Sequence, residues 1–228
     1  QGRNGYQVFS PEQHDSVPNN LRIEQELRKA LLEQQFELYY QPIQDARSSQ
    51  IIALEALLRW KHPRLGVLAP SAFLAQAEHA GLILPIGQLV LQMAAKQQQQ
   101  WQAAGLPVQL AINLSERELR QPRLCEQLQR QLEQLQVIPQ QLRIELREAL
   151  LLKQPEFAQT LCEGLAKMGC DLWLDNFGDR YGALGFLAQL PIKGIKLDSR
   201  VLQQDDQRYS GSWLTNLIGL AHSVGKQV

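Results

Sequence analysis

The sequence predicts an α/β fold in which parallel β/α units close into a barrel, and three observations lead to this prediction. Short apolar runs alternate along the chain with longer segments of helical periodicity. A strand followed by a helix, repeated, implies parallel pairing through right-handed crossovers. Polar side chains recur on one face of successive predicted strands, and the chain of 228 residues is 44% hydrophobic, which is enough to bury a large core.

The predicted elements follow one another in a regular order. The polar, proline-containing residues 10–20 predict a linker, and Asn20 is expected to begin a helix that ends near Gln34. Six strands are predicted from the apolar runs at 36–43, 51–60, 108–114, 142–148, 171–176 and 192–198. Helical periodicity covers 83–104, 116–135, 155–168, 182–189 and 211–224. Residues 44–50 are too few for a crossover helix, so the first two strands are expected to pair antiparallel.

Local signals mark the ends of two of these helices. Ser115 and Glu118 form a capping-box pattern directly after the third strand. Gly225 follows the last helical segment, where a glycine commonly ends a helix.

Composition and charge exclude several classes of protein. The 23 basic and 23 acidic side chains cancel, whereas a protein that binds a DNA or RNA polymer usually carries a basic excess. The three cysteines share no metal-ligand spacing and are expected to be reduced thiols. No apolar run approaches the roughly 18 residues of a membrane span, and the polar N-terminus does not resemble a signal peptide. A cytoplasmic location is therefore expected, with any membrane anchor of a parent protein lying outside this chain.

Charged side chains occupy strands that should be aliphatic on both faces if they were ordinary strands of a buried parallel sheet. Because side chains alternate along a strand, one face of each collects the polar positions. The residues on these faces, strand by strand, are Glu55, Leu57 and Arg59; Gln109, Ala111 and Asn113; Arg143, Glu145 and Arg147; Asp171, Trp173 and Asp175; and Gly194, Lys196 and Asp198. An isolated buried charge costs several kcal/mol, so the repetition indicates a shared site at the C-terminal mouth of a barrel. Internal salt bridges, in which Lys196 and the arginines neutralise the acids, are the alternative explanation.

The polar set also indicates a chemistry. Carboxylate and amide oxygens without histidine or cysteine suit Mg²⁺ or Mn²⁺, and these ions commonly act on phosphates. Two such ions about 4 Å apart could clamp a scissile phosphodiester and generate hydroxide, with a lysine holding the nucleophilic water.

Six motifs in order carry a resemblance to a known family. They are YYQPI at 39–43, EALLRW at 55–60, NLS at 113–115, LRIELRE at 142–148, DNFGDRYGAL at 175–184 and LPIKGIKLD at 190–198. Together they resemble the EAL domain, the bacterial cyclic-di-GMP phosphodiesterase family. The resemblance implies a TIM-type barrel with an antiparallel first strand and hydrolysis of cyclic-di-GMP to linear pGpG.

The resemblance also implies roles for individual residues. Divalent-metal ligands would be Glu55, Asn113, Glu145 and Asp175, with Asn176 as a weak ligand at the second ion. The lysine that orients the attacking water would be Lys196, and Glu55 and Lys196 together form the expected catalytic pair. Contacts to the dinucleotide are implied for Gln41, Leu57, Arg59 and Asp198.

The resemblance further predicts the domain organisation. Residues 1–9, QGRNGYQVF, resemble the final strand region of a GGDEF domain and imply a tandem GGDEF-EAL parent. Residues 10–20 would be the linker and 21–228 the EAL domain. A closed barrel has eight strands, so six predicted strands imply that the last two βα units are missing from this chain.

Departures from the family pattern leave two functions open. Asn176 stands where the family has the second aspartate of a pair, which removes one negative charge from the second metal position and predicts a weakly held second ion and reduced turnover. Arg147 stands in place of a threonine, where it could neutralise a metal-binding acid or contact phosphate or guanine, and the loop at 179–183 is altered. The alternative to an active phosphodiesterase is a degenerate domain that binds cyclic-di-GMP as a sensor. A purely structural barrel is a third reading, and homodimerisation is left open.

Overall fold

The computed structural model describes residues 12–106, 108–177, 188–198 and 212–228. The helices are α1 (Glu12–Leu32), α2 (Leu74–His79), α3 (Ile83–Ala103), α4 (Glu116–Leu119), α5 (Leu124–Gln134), α6 (Glu148–Lys153), α7 (Pro155–Lys167) and α8 (Ser212–Ser223). The strands are β1 (Phe36–Gln44), β2 (Ile51–His62), β3 (Gly66–Leu68), β4 (Gln109–Asn113), β5 (Leu142–Arg147), β6 (Asp171–Phe177) and β7 (Gly194–Leu197). Short 3₁₀ helices cover Pro70–Ala72 and Pro139–Gln141.

The described strands form one mostly parallel sheet in the order β1-β2-β4-β5-β6-β7, and β3 pairs with β2 outside this order. The pairs β2–β4, β4–β5, β5–β6 and β6–β7 are all parallel. All six strands predicted from the sequence are present, with ends that differ by at most two residues from the prediction. The parallel β/α order is therefore confirmed.

The first two strands are neighbours joined by a short turn. The Asp45 carboxylate accepts the backbone N–H groups of Arg47 and Ser48, and the Asp45 N–H donates to the Gln50 carbonyl at 2.9 Å. A turn of this length leaves no room for a crossover, which agrees with the antiparallel hairpin that the sequence predicts.

The chain divides into two compact units. The first consists of Gln1–Glu37 with Leu58–Ile86, and the second of Leu38–Leu57 with Gly87–Val228. Each has its own packed centre.

Three aromatic rings form the centre of the first unit. The ring centroids of Phe36 and Trp60 are 6.0 Å apart, and those of Phe73 and Trp60 are 5.7 Å apart. Leu27 and Ala30, which are three residues apart on one face of α1, are fully buried. This apolar stripe explains why the C-terminal part of α1 folds as a helix where the sequence predicts one.

Aliphatic faces of the central strands form the core of the second unit, together with the inner faces of α5 and α7. The aliphatic strand residues that are at most 1% exposed include Leu110, Ile112, Leu142, Ile144, Leu146, Leu172, Leu174 and Ile195. The helix residues packed against them include Leu128, Leu132, Ala158, Leu161 and Leu165. At about 25 cal/mol per Å² of apolar surface, this burial is the main stabilising term of the unit. The opposite faces of the same strands carry the polar residues.

The helix boundaries correct the sequence prediction in two places. α1 begins at Glu12, so most of the predicted linker 10–20 is helical and Asn20 is not the start of the helix. Pro18 lies within α1, because a proline removes one intrahelical hydrogen bond and need not end the helix. The predicted helix 116–135 is two helices, since Arg123 adopts a left-handed backbone (φ +58°) between α4 and α5.

Other differences concern short elements. β3, α2 and α6 have three to six residues each and were not predicted, because periodicity needs a longer window. The predicted helix at 182–189 falls mainly outside the described residues.

The two local signals are confirmed. The Ser115 hydroxyl accepts the Glu118 N–H while the Glu118 carboxylate accepts the Ser115 N–H, which completes the capping box of α4. Gly225 adopts a left-handed backbone (φ +74°), and its N–H donates to the His222 carbonyl at the end of α8.

Residues after α8 return to the sheet. Gln227 pairs in parallel with β7 as an isolated bridge to Gly194. The Ile195 N–H donates to the Gln227 carbonyl at 2.9 Å, and the Gln227 N–H donates to the Lys193 carbonyl at 3.0 Å. The backbone that follows α8 therefore lies beside β7.

Two predictions from composition can be compared with the structure. The three cysteines are free thiols, as expected from their spacing. In the part of the chain that the structure describes, no helix is both long and apolar enough to span a bilayer.

Candidate active site

Strand register places the predicted site residues at the C-terminal ends of adjacent parallel strands. Glu55 is level with Ala111, and Asn113 is level with Glu145. Alternation along the strands puts Glu55, Asn113 and Glu145 on the face opposite the aliphatic core. The site is thus a product of register, because the polar positions of three neighbouring strands meet at one end of the sheet.

Lys196 on β7 joins the carboxylates into one network. Its Nζ lies 2.5 Å from Glu145 Oε2 and 2.7 Å from Glu55 Oε2. Asp175 Oδ1 is 3.8 Å from the same nitrogen. The Asn113 side-chain amide donates to Glu55 Oε1 at 2.9 Å. Glu55, Glu145 and Asp175, from three strands, therefore meet at the Lys196 ammonium of a fourth, and Asn113 on a fifth strand joins them through Glu55.

Burial shifts the ionisation of this network. The Glu145 side chain is 0% exposed, and desolvation raises its pKa to about 7 even though Lys196 pulls it down. Repulsion from Glu55 and Asp175 adds to the increase. Burial lowers the pKa of Lys196, but attraction and hydrogen bonding from Glu145 and Glu55 outweigh it, and the net shift is upward. Lys196 therefore remains an ammonium ion at neutral pH.

A bulge in β6 separates the roles of Asp175 and Asn176. The pairing of β6 with β7 shifts between Leu174 and Phe177. Asn176 has φ +56°, a left-handed backbone that asparagine and aspartate tolerate better than most residues, and it is exposed. The extra residue lets Asp175 face Lys196 and leaves Asn176 at the surface.

The donor set fits a divalent cation. Three carboxylates and one amide converge here, and the buried Glu145 Oε1 has no hydrogen-bond partner among the described residues. Oxygen donors of this kind are those that Mg²⁺ and Mn²⁺ prefer. Within the described ranges, no three His, Cys, Asp or Glu side chains are already placed so that together they could hold a metal ion. The Lys196 ammonium lies between the carboxylates instead.

The residues predicted to contact a dinucleotide have varied surroundings. Gln41 is exposed on β1 and Leu57 is half-buried on β2. The Arg59 guanidinium donates to the Leu58 carbonyl at 2.9 Å. Asp198 is buried directly after β7, and its N–H donates to the Phe177 carbonyl at 3.1 Å. Gln41 has no hydrogen bond to the Lys196 network in the described part of the chain.

A second polar layer lies at the opposite, N-terminal ends of the strands. The Gln109 side chain donates to Asp171 Oδ2 at 2.7 Å and accepts from Arg143 at 3.2 Å. The Arg143 guanidinium lies 3.9 Å from the centroid of the Trp173 ring, and Lys193 pairs with Asp171 at 2.7 Å. The internal salt bridges of the alternative explanation are thus present in this layer, and Lys196 forms them with Glu55 and Glu145 at the mouth. The residue types of this layer alone do not distinguish it from the polar residues at the mouth.

The Arg147 guanidinium forms no ion pair with the acids of the site. Its Cα is level with that of Asp175, yet the side chain is exposed and has no ion-pair or hydrogen-bond partner among the described residues. The ion pairs of Glu145 and Asp175 are formed with Lys196 instead. Arg147 therefore does not neutralise these acids.

The sequence of the chain is similar to those of known proteins. A model of the family described as "EAL domain" matches residues 24–228. The cyclic di-GMP phosphodiesterase PdeR of Escherichia coli K12 is 33% identical over 229 residues, covering 100% of this chain and 34% of that protein. The bifunctional diguanylate cyclase/cyclic di-GMP phosphodiesterase MucR of Pseudomonas aeruginosa is 34% identical over 199 residues, covering 87% of this chain and 29% of that protein. The chain thus spans about a third of the length of these relatives.

Solved structures give the same result for the fold. The PaMucR phosphodiesterase in complex with c-di-GMP superposes with a TM-score of 0.85 at 29% identity, covering 90% of this chain and 84% of that one. The FimX EAL domain from Pseudomonas aeruginosa bound to c-di-GMP has a TM-score of 0.79 at 27% identity, covering 91% of this chain and 83% of that one. These likenesses confirm the predicted α/β fold class of the TIM-barrel type, of which the described strands form part. The chain belongs to the EAL domain family.

Proposed function

We propose that this chain is a phosphodiesterase domain that hydrolyses cyclic-di-GMP to linear pGpG by divalent-cation-assisted attack of water. The contact of Lys196 with Glu55, Glu145 and Asp175 is the observation that carries the proposal. A cluster of acids around one lysine at the C-terminal ends of parallel strands suits a reaction that needs cations and a positioned water. The names of the relatives at about a third identity support the same substrate.

The first cation, Mg²⁺ or Mn²⁺, would be held by Glu55, Asn113, Glu145 and Asp175. A second would use Asp175 with the Asn176 amide, which is a weaker ligand because it is neutral. When bound, the cations supply polarisation of the phosphate and a lower pKa for the attacking water. The buried Glu145 Oε1, which lacks a protein partner among the described residues, suits a ligand role.

Lys196 would hold the nucleophilic water by donating a hydrogen bond to it. Its raised pKa keeps it protonated, so it cannot serve as the general base at neutral pH. Glu55 and Glu145 fix the position of the ammonium through their short contacts. The role of Lys196 is therefore to orient the water and to place a positive charge beside the phosphate.

Substrate contacts are proposed for Gln41, Leu57, Arg59 and Asp198. Leu57 and Arg59 follow Glu55 on alternate positions of β2, so their side chains leave the strand on the same face as the Glu55 carboxylate. Gln41 is exposed on the neighbouring strand β1.

The wider organisation is also a proposal. Residues 1–9 would belong to an attached GGDEF-like domain, 10–20 to the segment between the domains, and 21–228 to the EAL domain of a cytoplasmic enzyme. Homodimerisation stays open.

The second candidate function is binding of cyclic-di-GMP without cleavage. Asn176 favours it, because loss of one carboxylate weakens the second cation site. Such a domain would report occupancy to the attached domain.

The two functions separate in one experiment. The protein is incubated with cyclic-di-GMP and Mg²⁺ or Mn²⁺, with pGpG followed by chromatography and binding by calorimetry. We expect pGpG from the wild type and none from Glu55→Gln, with circular dichroism unchanged. Binding without pGpG would establish the sensor function. Absence of both would overturn the proposal.

A further inference from the structure

Arg147 is a cationic side chain at the mouth of the site that the proposed mechanism does not use. It is the last residue of β5, two positions after Glu145, and its Cα is level with that of Asp175 on β6. Its side chain is exposed. It therefore stands where a ligand that enters from the C-terminal ends of the strands would pass.

The charge balance at the mouth leaves Arg147 available. Lys196 is held between Glu55 and Glu145, so its charge is already matched by carboxylates. Asp175 faces Lys196 at 3.8 Å rather than Arg147. Arg147 has no ion-pair or hydrogen-bond partner among the described residues. An exposed guanidinium that forms no ion pair with the described residues can bind an incoming anion without first breaking a contact within the protein.

The neighbouring position strengthens this argument. Asn176 follows Asp175 at the surface of the bulge and carries no charge. An anion that approaches this side of the site therefore meets a guanidinium and a neutral amide. A phosphodiester group matches both, because guanidinium donates two parallel hydrogen bonds to phosphate oxygens and an amide donates one.

We propose that Arg147 binds one phosphodiester group of the dinucleotide and supplies there the positive charge that a weakly held second cation does not. The inference rests on the proposed function, since it takes cyclic-di-GMP as the ligand. It assigns Arg147 as a substrate-binding residue, distinct from the residues that would hold the first cation.

Calorimetric titration with cyclic-di-GMP tests the assignment, in EDTA and again in Mg²⁺ with hydrolysis removed by Glu55→Gln. We expect Arg147→Ala to weaken binding about tenfold or more in both conditions, as for loss of a charge-assisted contact. The affinity of Arg147→Lys should lie between that of the parent and that of Arg147→Ala, because lysine retains the charge but not the paired donors. Arg130→Ala, which removes an exposed arginine from α5, is the matched control and should bind as tightly as its parent.

Salt provides a second readout. Binding by the parent should weaken with added NaCl more steeply than binding by Arg147→Ala, because one ionic contact is absent from the variant. Equal affinity and equal salt dependence in parent and Arg147→Ala would overturn the inference and leave the proposed function intact. Tighter binding by Arg147→Ala would also overturn it. If the parent binds no cyclic-di-GMP in either condition, the proposed function fails and the inference fails with it.

Discussion

Lys196 Nζ lies 2.5 Å from Glu145 Oε2, and the Glu145 side chain is fully buried. A buried carboxylate depends on its counter-charge far more than an exposed one does, because water cannot replace the lost partner. The same ammonium also contacts Glu55 at 2.7 Å. The carboxylates of the site are therefore held together by a charge that belongs to the protein.

Lys196→Met should destabilise the protein by about 3 kcal/mol, because it leaves Glu145 buried and unpaired. Urea unfolding measures the loss. Lys153→Met is the matched control, since Lys153 pairs with Glu116 at 3.0 Å but the two side chains are 55% and 41% exposed. Lys153→Met should lower the free energy of unfolding by less than about 1 kcal/mol. Equal losses in the two variants would contradict the expected dependence on burial.

Stability of the metal-free protein should fall as the pH rises from about 4.5 to about 7. The folded protein holds the Glu145 proton more tightly than the unfolded chain, because the folded pKa is about 7 and the ordinary value is 4.5. This contribution is complete below the ordinary pKa and is lost as the pH passes the folded one. At about 1.4 kcal/mol per unit it amounts to about 3 kcal/mol.

Unfolding in EDTA across this range measures the effect, with Glu145→Gln as the variant that should not show it. Other groups with shifted pKa values affect stability outside this pH range. The lowered pKa values of Glu26 and Glu116 affect stability below their ordinary value of 4.5, and the raised pKa of Lys196 acts above 10.5. A wild-type profile that matches Glu145→Gln between the two limits would refute the assignment.

Asn176→Asp should increase the affinity for a second divalent cation and raise turnover, by on the order of tenfold for one added ligand charge. Aspartate accepts the left-handed backbone at this position about as well as asparagine. Metal titrations of pGpG formation measure both effects. Asn176→Gly, which keeps the backbone but offers no ligand, should be no better than the wild type. If Asn176→Asp also shows no gain, the amide is not what limits the site.

Gly194→Ala should destabilise the protein by about 2 kcal/mol through overpacking. A Cβ at this position would lie 2.6 Å from the Trp173 ring and 2.9 Å from the Gln227 carbonyl oxygen. Gly219→Ala on α8 is the matched control, because nothing lies within 4 Å of its added Cβ. It should stabilise the helix by about 0.5 to 1 kcal/mol. Thermal melts of the two variants should therefore shift in opposite directions.

The polar faces of the strands were predictable because alternation has a fixed period. Once Glu55, Asn113 and Glu145 were recognised as occupying the wrong positions for a buried parallel sheet, parallel register alone brought them together. The capping box at Ser115 was predictable for a similar reason, since its partners are three residues apart. Local spacing determines both features.

Features that depend on distant packing were not predictable. The bulge at Asn176 arises from the pairing of β6 with β7, and no local residue pattern marks it. The stacking of Arg143 on Trp173 joins neighbouring strands that are separated in sequence by α6 and α7. Alternation predicts the face of the sheet on which Arg143 lies, but it does not predict the end of the sheet at which Arg143 forms its contacts.

The return of the chain to β7 affects how the protein behaves in concentrated solution. An unpaired strand edge is a template for association with other chains. Here the Gln227 backbone is hydrogen-bonded to the backbone of Lys193 and Ile195. The Lys226 ammonium donates to the carbonyls of Leu190 and Ile192 at 3.0 and 2.9 Å. The backbone beside Lys196 is thus occupied from within the molecule, so this stretch of β7 is protected from strand addition by a neighbouring molecule.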